Sequence, residues 1–267
     1  MMKLTKDNYF SPEATAEYMS ESQYKSLVGV LGRKNCEART MAEIHGEWQE
    51  EPSNALLIGG YVDSYFEGSL DNFKWEHPEI FRKDGELKAQ FVQADKMIER
   101  ALKDVRFRRS MQGEKQKIMT GEIGGIPWKI KMDSYHPGVA IVDLKTTEDV
   151  NKLYWVRDIG YVEWQYYWGY DIQGAVYQEI VYQNTGKQLP FYIMAVDKHK
   201  EPGLGYYQIP QFRLDEALSR IPYMLPAALA LKNGEVEPVR CEDCDYCRST
   251  RVLDKPIFPE DMPKQIA

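Results

Sequence analysis

The stretch Ile118–Thr147, IMTGEIGGIPWKIKMDSYHPGVAIVDLKTT, decides the fold. Gly124-Gly125 and Pro137-Gly138 are turn pairs that divide it into short strands, one ending near Ile123, one from Trp128 to Asp133 and one from Val139 to Lys145. The third is apolar from Val139 to Val142 and becomes polar at Asp143, so a buried strand emerges where chemically active groups begin. In open α/β sheets ligands sit beyond the carboxyl ends of strands, which makes residues 143–147 the first place to look for a site.

Strand alternation puts Asp143 and Lys145 on one face and turns Leu144 into the opposite layer. A hairpin would bring Asp133, at the end of the preceding strand, beside Asp143. Two carboxylates and the Leu144 backbone carbonyl make an oxygen-rich, negative site suited to a hard divalent cation, Mg2+ or Mn2+, that keeps waters for a phosphate to displace. Lys145 would then lie beside an activated water and offset charge on an attacked phosphate. The plainer alternative makes both aspartates turn-initiating residues and Lys145 a solvated strand end.

An Asp followed ten residues later by Asp-x-Lys resembles the PD-(D/E)XK nuclease superfamily, and a later Gln173-Gly-Ala-Val-Tyr177 resembles the Q-x3-Y that follows the active site in RecB-type and RecE-like nucleases. With GGYVDSYF (Gly59–Phe66), KIKMD (Lys129–Asp133) and CDYC (Cys244–Cys247), the chain looks most like the phage or prophage RecE-like, exodeoxyribonuclease VIII-like group over Met19–Arg248. The resemblance implies an α/β fold with a mixed central β-sheet flanked by helices, restriction-endonuclease-like, and one nuclease domain over residues 1–267 with a cysteine cluster at 241–247. It also implies that Gln173 and Tyr177 complete the pocket, and that Asp63, four residues after Gly59, stands where RecB-type nucleases carry a metal-binding His.

The net charge is −7, which argues against a generally basic surface. Between Lys96 and Lys131, however, ten Lys and Arg face four acids, a local +6 that leads into the proposed site. A nuclease gripping DNA in one groove needs only such local neutralisation, and Arg106, Arg108, Arg109, Lys129 and Lys131 are the candidate phosphate contacts. Each is also compatible with a solvated face. No apolar run approaches the length of a membrane span and no signal-like core is present, so a soluble, cytoplasmic protein is expected.

Upstream, residues 1–19 read as polar and partly extended. Ser20 or Ser22 caps a helix through Leu31 with Gly32 as its interruption, and Cys36 begins another helical segment. Ser22-Gln-Tyr-Lys25 has S-x-x-K spacing but lacks the accompanying SDN and KTG motifs of penicillin-binding enzymes. A buried helix is expected from Ser53 or Asn54 to Phe66, a polar connection over Lys74–Asp84, and one helix from Glu86 closed by Arg106–Arg109. Downstream come an aromatic-rich loop, Val150–Trp168, as candidate contact with a DNA end, then a helix from Tyr170 to Tyr182 and strands near 190–196 and 205–209. A last helix, Leu214–Lys232, is expected to be interrupted near Pro222 and Pro226. No histidine stands out as ligand or base, although His136 lies in a turn near the site.

Three of the four cysteines fall within seven residues, Cys241-x2-Cys244-x2-Cys247, with Cys36 far away in sequence. A cytosolic chain is not expected to hold disulfides, so the set reads as a 4Fe-4S cluster, as Zn2+ held by four thiolates, or as reduced thiols. One N-terminal cysteine with a C-terminal group is similar to the iron-sulfur staple of AddB-type and some CRISPR-associated nucleases. The RecE-like resemblance implies a Mg2+-dependent 5'–3' exonuclease acting on double-stranded DNA ends, partnered by a single-strand annealing recombinase and forming a homo-oligomer by analogy. An end-processing nuclease of RecB or CRISPR type and a non-catalytic DNA-binding module are the competing readings.

Overall fold

The computed structural model describes residues 2–31 and 35–253, together with 256 and 258; Gly32 lies outside them. Residues 2–19 are more ordered than their polarity suggests. Pro12 begins a helix, α1 (Pro12–Glu17), whose first turn is capped by Ser11, and Met19 then lies alongside Trp128 in a short parallel bridge. Ser20 caps α2 (Glu21–Val28), which stops at Gly29 with φ 81°, so Leu31 falls outside the helix. Cys36 is the cap of α3 (Glu37–Ile44), its sulfur accepting from the Arg39 N–H at 3.4 Å.

The helix α4 (Asn54–Glu67) runs from a Ser53 cap to Gly68 in the left-handed region. Where a polar connection was expected, α5 (Leu70–Glu76) and a 3-10 turn (Pro78–Ile80) form instead, because Phe73 and Ile80 have apolar surface to bury against α4 and α6 (Ala89–Lys103). The expected continuous helix through Arg109 is broken. Asp104 ends α6 and caps a separate α7 (Val105–Ser110), its carboxylate accepting from the Phe107 N–H at 2.8 Å.

The strands β1 (Glu114–Ile123) and β2 (Ile126–His136) form the expected hairpin through Gly124 and Gly125, both at positive φ as a two-residue turn of this hand requires. β2 runs three residues past Asp133 before the chain returns as β3 (Ala140–Thr147). A small hairpin of β4 (Leu153–Val156) and β5 (Gly160–Glu163) follows, then α8 (Trp164–Tyr167), α9 (Tyr170–Thr185), β6 (Phe191–Asp197), β7 (Leu204–Gln208), α10 (Gln211–Lys232) and α11 (Asp245–Ser249). The main sheet has the order β1-β2-β3-β6-β7, with β3 and β6 parallel and the other neighbours antiparallel. It is a mixed sheet flanked by helices, as the sequence indicates.

Two apolar layers sandwich it. Ile141, Phe191, Ile193 and Ala195 pack with α2, α9 and α10, whereas Val142, Leu144, Met194 and Val196 pack with α4, α6 and α7. Leu144 is thus on the side opposite α9, as alternation requires. Contrary to expectation, α10 passes through Pro222 and Pro226 unbroken. Both prolines lie on its exposed side, while Leu214, Ile221, Leu225 and Leu231 are buried. Each such side chain contributes about 1.5–3 kcal/mol of burial, enough together to offset roughly 3 kcal/mol per internal proline. Among the described residues no helix is long and apolar enough to cross a membrane.

Gly174 lets α9 lie close against β6. A Cβ there would stand 2.6 Å from a Phe191 ring carbon and 2.8 Å from a Leu214 methyl. Gly174→Ala should therefore cost about 1–3 kcal/mol. A thermal melt that falls by several degrees relative to the wild-type protein bears this out, and an unchanged melt contradicts the packing.

Candidate active site

The site forms where β2 and β3 part. Their ladder pairs His136 with Ala140, Tyr135 with Ile141 and Ser134 with Val142, and the next pair would be Asp133 with Asp143. There the backbone pairing stops, and the Asp133 carboxylate itself accepts the Leu144 N–H at 2.8 Å. In an extended strand a residue's N–H and C=O leave on the same side, so the Leu144 carbonyl is turned toward Asp133 rather than into the β6 ladder.

Asp143 is buried, 2% exposed, and divides its two oxygens. Gln173 on α9 donates to Oδ1 at 2.7 Å. Lys145 Nζ forms an ion pair with Oδ2 at 2.5 Å. Tyr177, one turn after Gln173, donates its hydroxyl to the Lys131 carbonyl at 3.0 Å and so ties α9 to β2. Asp63 arrives from α4, close enough to feel the charges of Lys145, Asp143 and Lys131. Asp63, Asp133, Leu144, Lys145, Trp168 and Tyr170 line one cleft of about 860 Å³.

Burying three carboxylates together has an electrostatic cost. Burial pushes Asp63 up to about 6, with Lys145 easing it and Asp143 and Glu67 adding to it. Asp133 is pushed up to about 6 by burial and by Asp63, and Asp143 to about 7 by burial, against relief from Lys145, and by Asp133. Burial alone would pull Lys145 down, but Asp143 beside it, with Tyr170 and Asp133, holds it above its ordinary value. An all-oxygen donor set and three carboxylates against one buried ammonium fit a hard divalent cation. Asp63, Asp133, Asp143 and the Leu144 carbonyl would be the residues to hold it, although the three carboxylates are not gathered within 4.8 Å of one another as the cysteine sulfurs are.

The basic residues divide. Arg106, Arg108 and Arg109 are exposed on α7, with the Arg106 guanidinium 5.6 Å from the Tyr206 ring centroid. Lys131 is half-buried, and its charge reaches Asp63. Lys129 corrects the expectation of a phosphate contact. It is 4% exposed and donates to the Tyr9 carbonyl at 2.6 Å, and burial pulls its pKa down to about 8, so its amine anchors the N-terminal segment inside the protein. His136 is tied to the Ser110 carbonyl at 2.8 Å.

The four cysteine sulfurs converge from opposite ends of the sequence. All lie within 4.8 Å of one another, Cys36 and Cys247 at 3.5 Å and Cys241 and Cys247 at 3.9 Å. Burial raises the Cys241 thiol, but N–H groups of Asp243 and Cys244 outweigh it and bring it down to about 7; burial and the neighbouring sulfurs push Cys244 up to about 12. Four thiols this close cannot all ionise without a cation among them, which is the donor chemistry of a soft metal.

Three residues at the site carried no readable signal. Glu21 follows a helix cap and looks like any first-turn acid, yet its charge reaches Asp143. Lys115, on β1, feels both Asp133 and Asp63. Tyr170 is one of many aromatics, and its ring centroid lies 4.9 Å from Lys145 Nζ.

The raised carboxylates fix a pH dependence. Their folded-state values of about 6 to 7 exceed the ordinary value near 4, so the folded protein holds protons that the unfolded chain has released. Stability from this source is full below about pH 4 and is lost as pH rises toward about 7. The melting temperature of EDTA-treated protein should fall between about pH 5 and 7.5, less steeply in Asp143→Asn, and Mn2+ should recover more of it at the upper end. A melt that rises across that window in both proteins contradicts the burial of these acids.

Residues 20–250 match the family described as PDDEXK-like domain of unknown function (DUF3799). A crystal structure from Eubacterium rectale, described as "Putative exonuclease", is 55% identical and covers 97% of each chain with a TM-score of 0.94. A structure of SSO0001 aligns over 71% of this chain and 83% of its own, at 12% identity and a TM-score of 0.28, and carries no argument. No curated protein matches the chain. With the family match spanning most of its length and the split β2–β3 ladder presenting Asp133, Asp143 and Lys145, the chain belongs to the PDDEXK-like family DUF3799.

Proposed function

We propose that this protein is a metal-dependent deoxyribonuclease that shortens double-stranded DNA from its ends, 5' to 3', leaving single strands for an annealing recombinase. The observation that carries the reading is that Asp63 from α4, Asp133 from β2 and Lys145 from β3 line one cleft, with the buried Asp143 paired to Lys145. The likeness to a structure described as an exonuclease supports the end-dependent mode. Bound Mg2+ or Mn2+ would activate a water molecule and offset charge on the phosphate. Gln173 pins Asp143 Oδ1 and leaves Oδ2 to Lys145, while Tyr177 fixes the strand that carries Asp133. Lys145 supplies positive charge at the scissile phosphate and orients the attacking water.

Arg106, Arg108, Arg109 and Lys131 serve the DNA backbone in this reading. Assembly as a homo-oligomer, on the analogy of RecE-like proteins, would surround the duplex. The β4–β5 hairpin leaves directly from the catalytic strand and exposes Trp155 and Tyr161 side by side, 5.2 Å between ring centroids, as rings on which terminal bases could stack.

The test compares linear with nicked-circular duplex, in Mg2+ and in EDTA. End-dependent loss abolished by EDTA is expected, with Asp143→Asn and Lys145→Ala each slowed at least about 100-fold. Scission of the unbroken strand of the nicked circle makes the protein an endonuclease, and no cutting by the wild-type protein under either condition makes it a binding module. Retained cleavage in Lys145→Ala removes that lysine from the chemistry.

The four-thiol cage favours a second metal, and the RecB- or CRISPR-type end-processing reading requires that metal to be a 4Fe-4S cluster. Around one tetrahedral zinc, with Zn–S about 2.3 Å, sulfurs stand about 3.8 Å apart. Separations of 3.5 and 3.9 Å suit Zn2+ more closely than a 4Fe-4S cluster, whose thiolates are spread wider. Metal analysis of protein purified without oxygen should find one equivalent of zinc, lost with a drop in melting temperature in Cys241→Ser; brown protein with four irons selects the cluster, and unchanged folding, colour and metal content in that variant removes the site.

A further inference from the structure

A cation arriving at this site meets a competitor. Asp143 Oδ1 is engaged by Gln173, so Oδ2 is the oxygen left to ligate, and Lys145 Nζ already stands 2.5 Å from it. A divalent cation held at Oδ2 would repel the ammonium at such range, so Lys145 would be displaced from Oδ2 and need another partner to stay at the site.

We propose that Tyr170 is a positioning residue that keeps Lys145 at the site by offering its ammonium the face of an aromatic ring when a divalent cation takes Asp143 Oδ2. The inference rests on the cation-binding reading of the site and deepens it. Lys145 Nζ lies 4.9 Å from the Tyr170 ring centroid, inside the range of about 6 Å over which a ring attracts a cation. The ring borders the cleft and is braced. The buried Trp164 meets it edge to face at 5.7 Å. Gly169, at φ +66°, sets the first turn of α9 where any Cβ would stand 2.9 Å from Val30. Lys25 lies 5.3 Å from the same centroid, but Glu21 holds it at 2.8 Å, so its charge is already matched. With the ring gone, Lys145 would fall back on Asp143 and oppose the incoming ion.

Calorimetric titration with Mn2+, in the absence of DNA, tests this without relying on turnover. Tyr170→Leu should weaken Mn2+ binding about 3- to 10-fold, the size of a partly buried cation–ring contact, and Tyr170→Phe should leave it within about 2-fold. Combined with Lys145→Met, which removes the competing ammonium, Tyr170→Leu should change Mn2+ affinity by less than about 2-fold. If Tyr170→Leu fails to fold, pentafluorophenylalanine in place of Tyr170 keeps the shape while reversing the ring's charge distribution, and should weaken binding as Leu does. Unchanged affinity in Tyr170→Leu, equal weakening in Tyr170→Phe, or weakening that persists beside Lys145→Met each overturns the proposal. A wild-type protein that takes up no Mn2+ fails at the earlier step, the cation-binding reading itself.

Discussion

Asp143 is a carboxylate that the fold buries between one amide and one ammonium. Gln173 reaches across from α9 to one oxygen and Lys145 crowds the other, so a single side chain joins helix, strand and the cationic partner. Burying an uncompensated carboxylate in an apolar layer is prohibitive, and Gln173 and Lys145 make it tolerable while stopping short of neutrality. Asp133 and Asp63 add charge of the same sign nearby. A protein selected for stability alone would have no reason to gather these groups; a site that must attract a doubly charged ion does.

The geometry that holds the acids is as much a property of the sheet as of the side chains. Asp133 stands where a backbone group would otherwise pair with β3, and by taking the Leu144 N–H it both ends the ladder and frees the neighbouring carbonyl. A slip of one residue between β2 and β3 would turn Asp143 into the layer occupied by Leu144, so strand register and site integrity are one constraint.

What could be read from the sequence follows from this. The hairpins, the emergence of the buried strand at Asp143 and the shared face of Gln173 and Tyr177 are local periodicities, visible without coordinates. Asp63 entered only through the resemblance of Gly59-x3-Asp63 to the RecB-type pattern, and its approach to the site depends on α4 crossing the end of β3 at Thr146. The polar segment Lys74–Asp84 folded because of what lies beside it, and α10 ran through two prolines because its buried stripe outweighs them. Lys129 looked like its neighbour Lys131, and burial under Tyr9 separates their roles. Glu21 and Tyr170 belong to elements far apart in the chain, and no pattern within either element records that α2 and α9 meet beside Lys145.

The thiol quartet has a consequence for how the molecule comes into being. Cys36 and Cys247 are 211 positions apart and 3.5 Å apart in space, so the whole catalytic sheet lies within the span they close. A ribosome releases the first of these sulfurs long before the last. Until residues 241–247 emerge, Cys36 waits without its three partners, and any ion seated among the four records that synthesis has passed through the entire sheet.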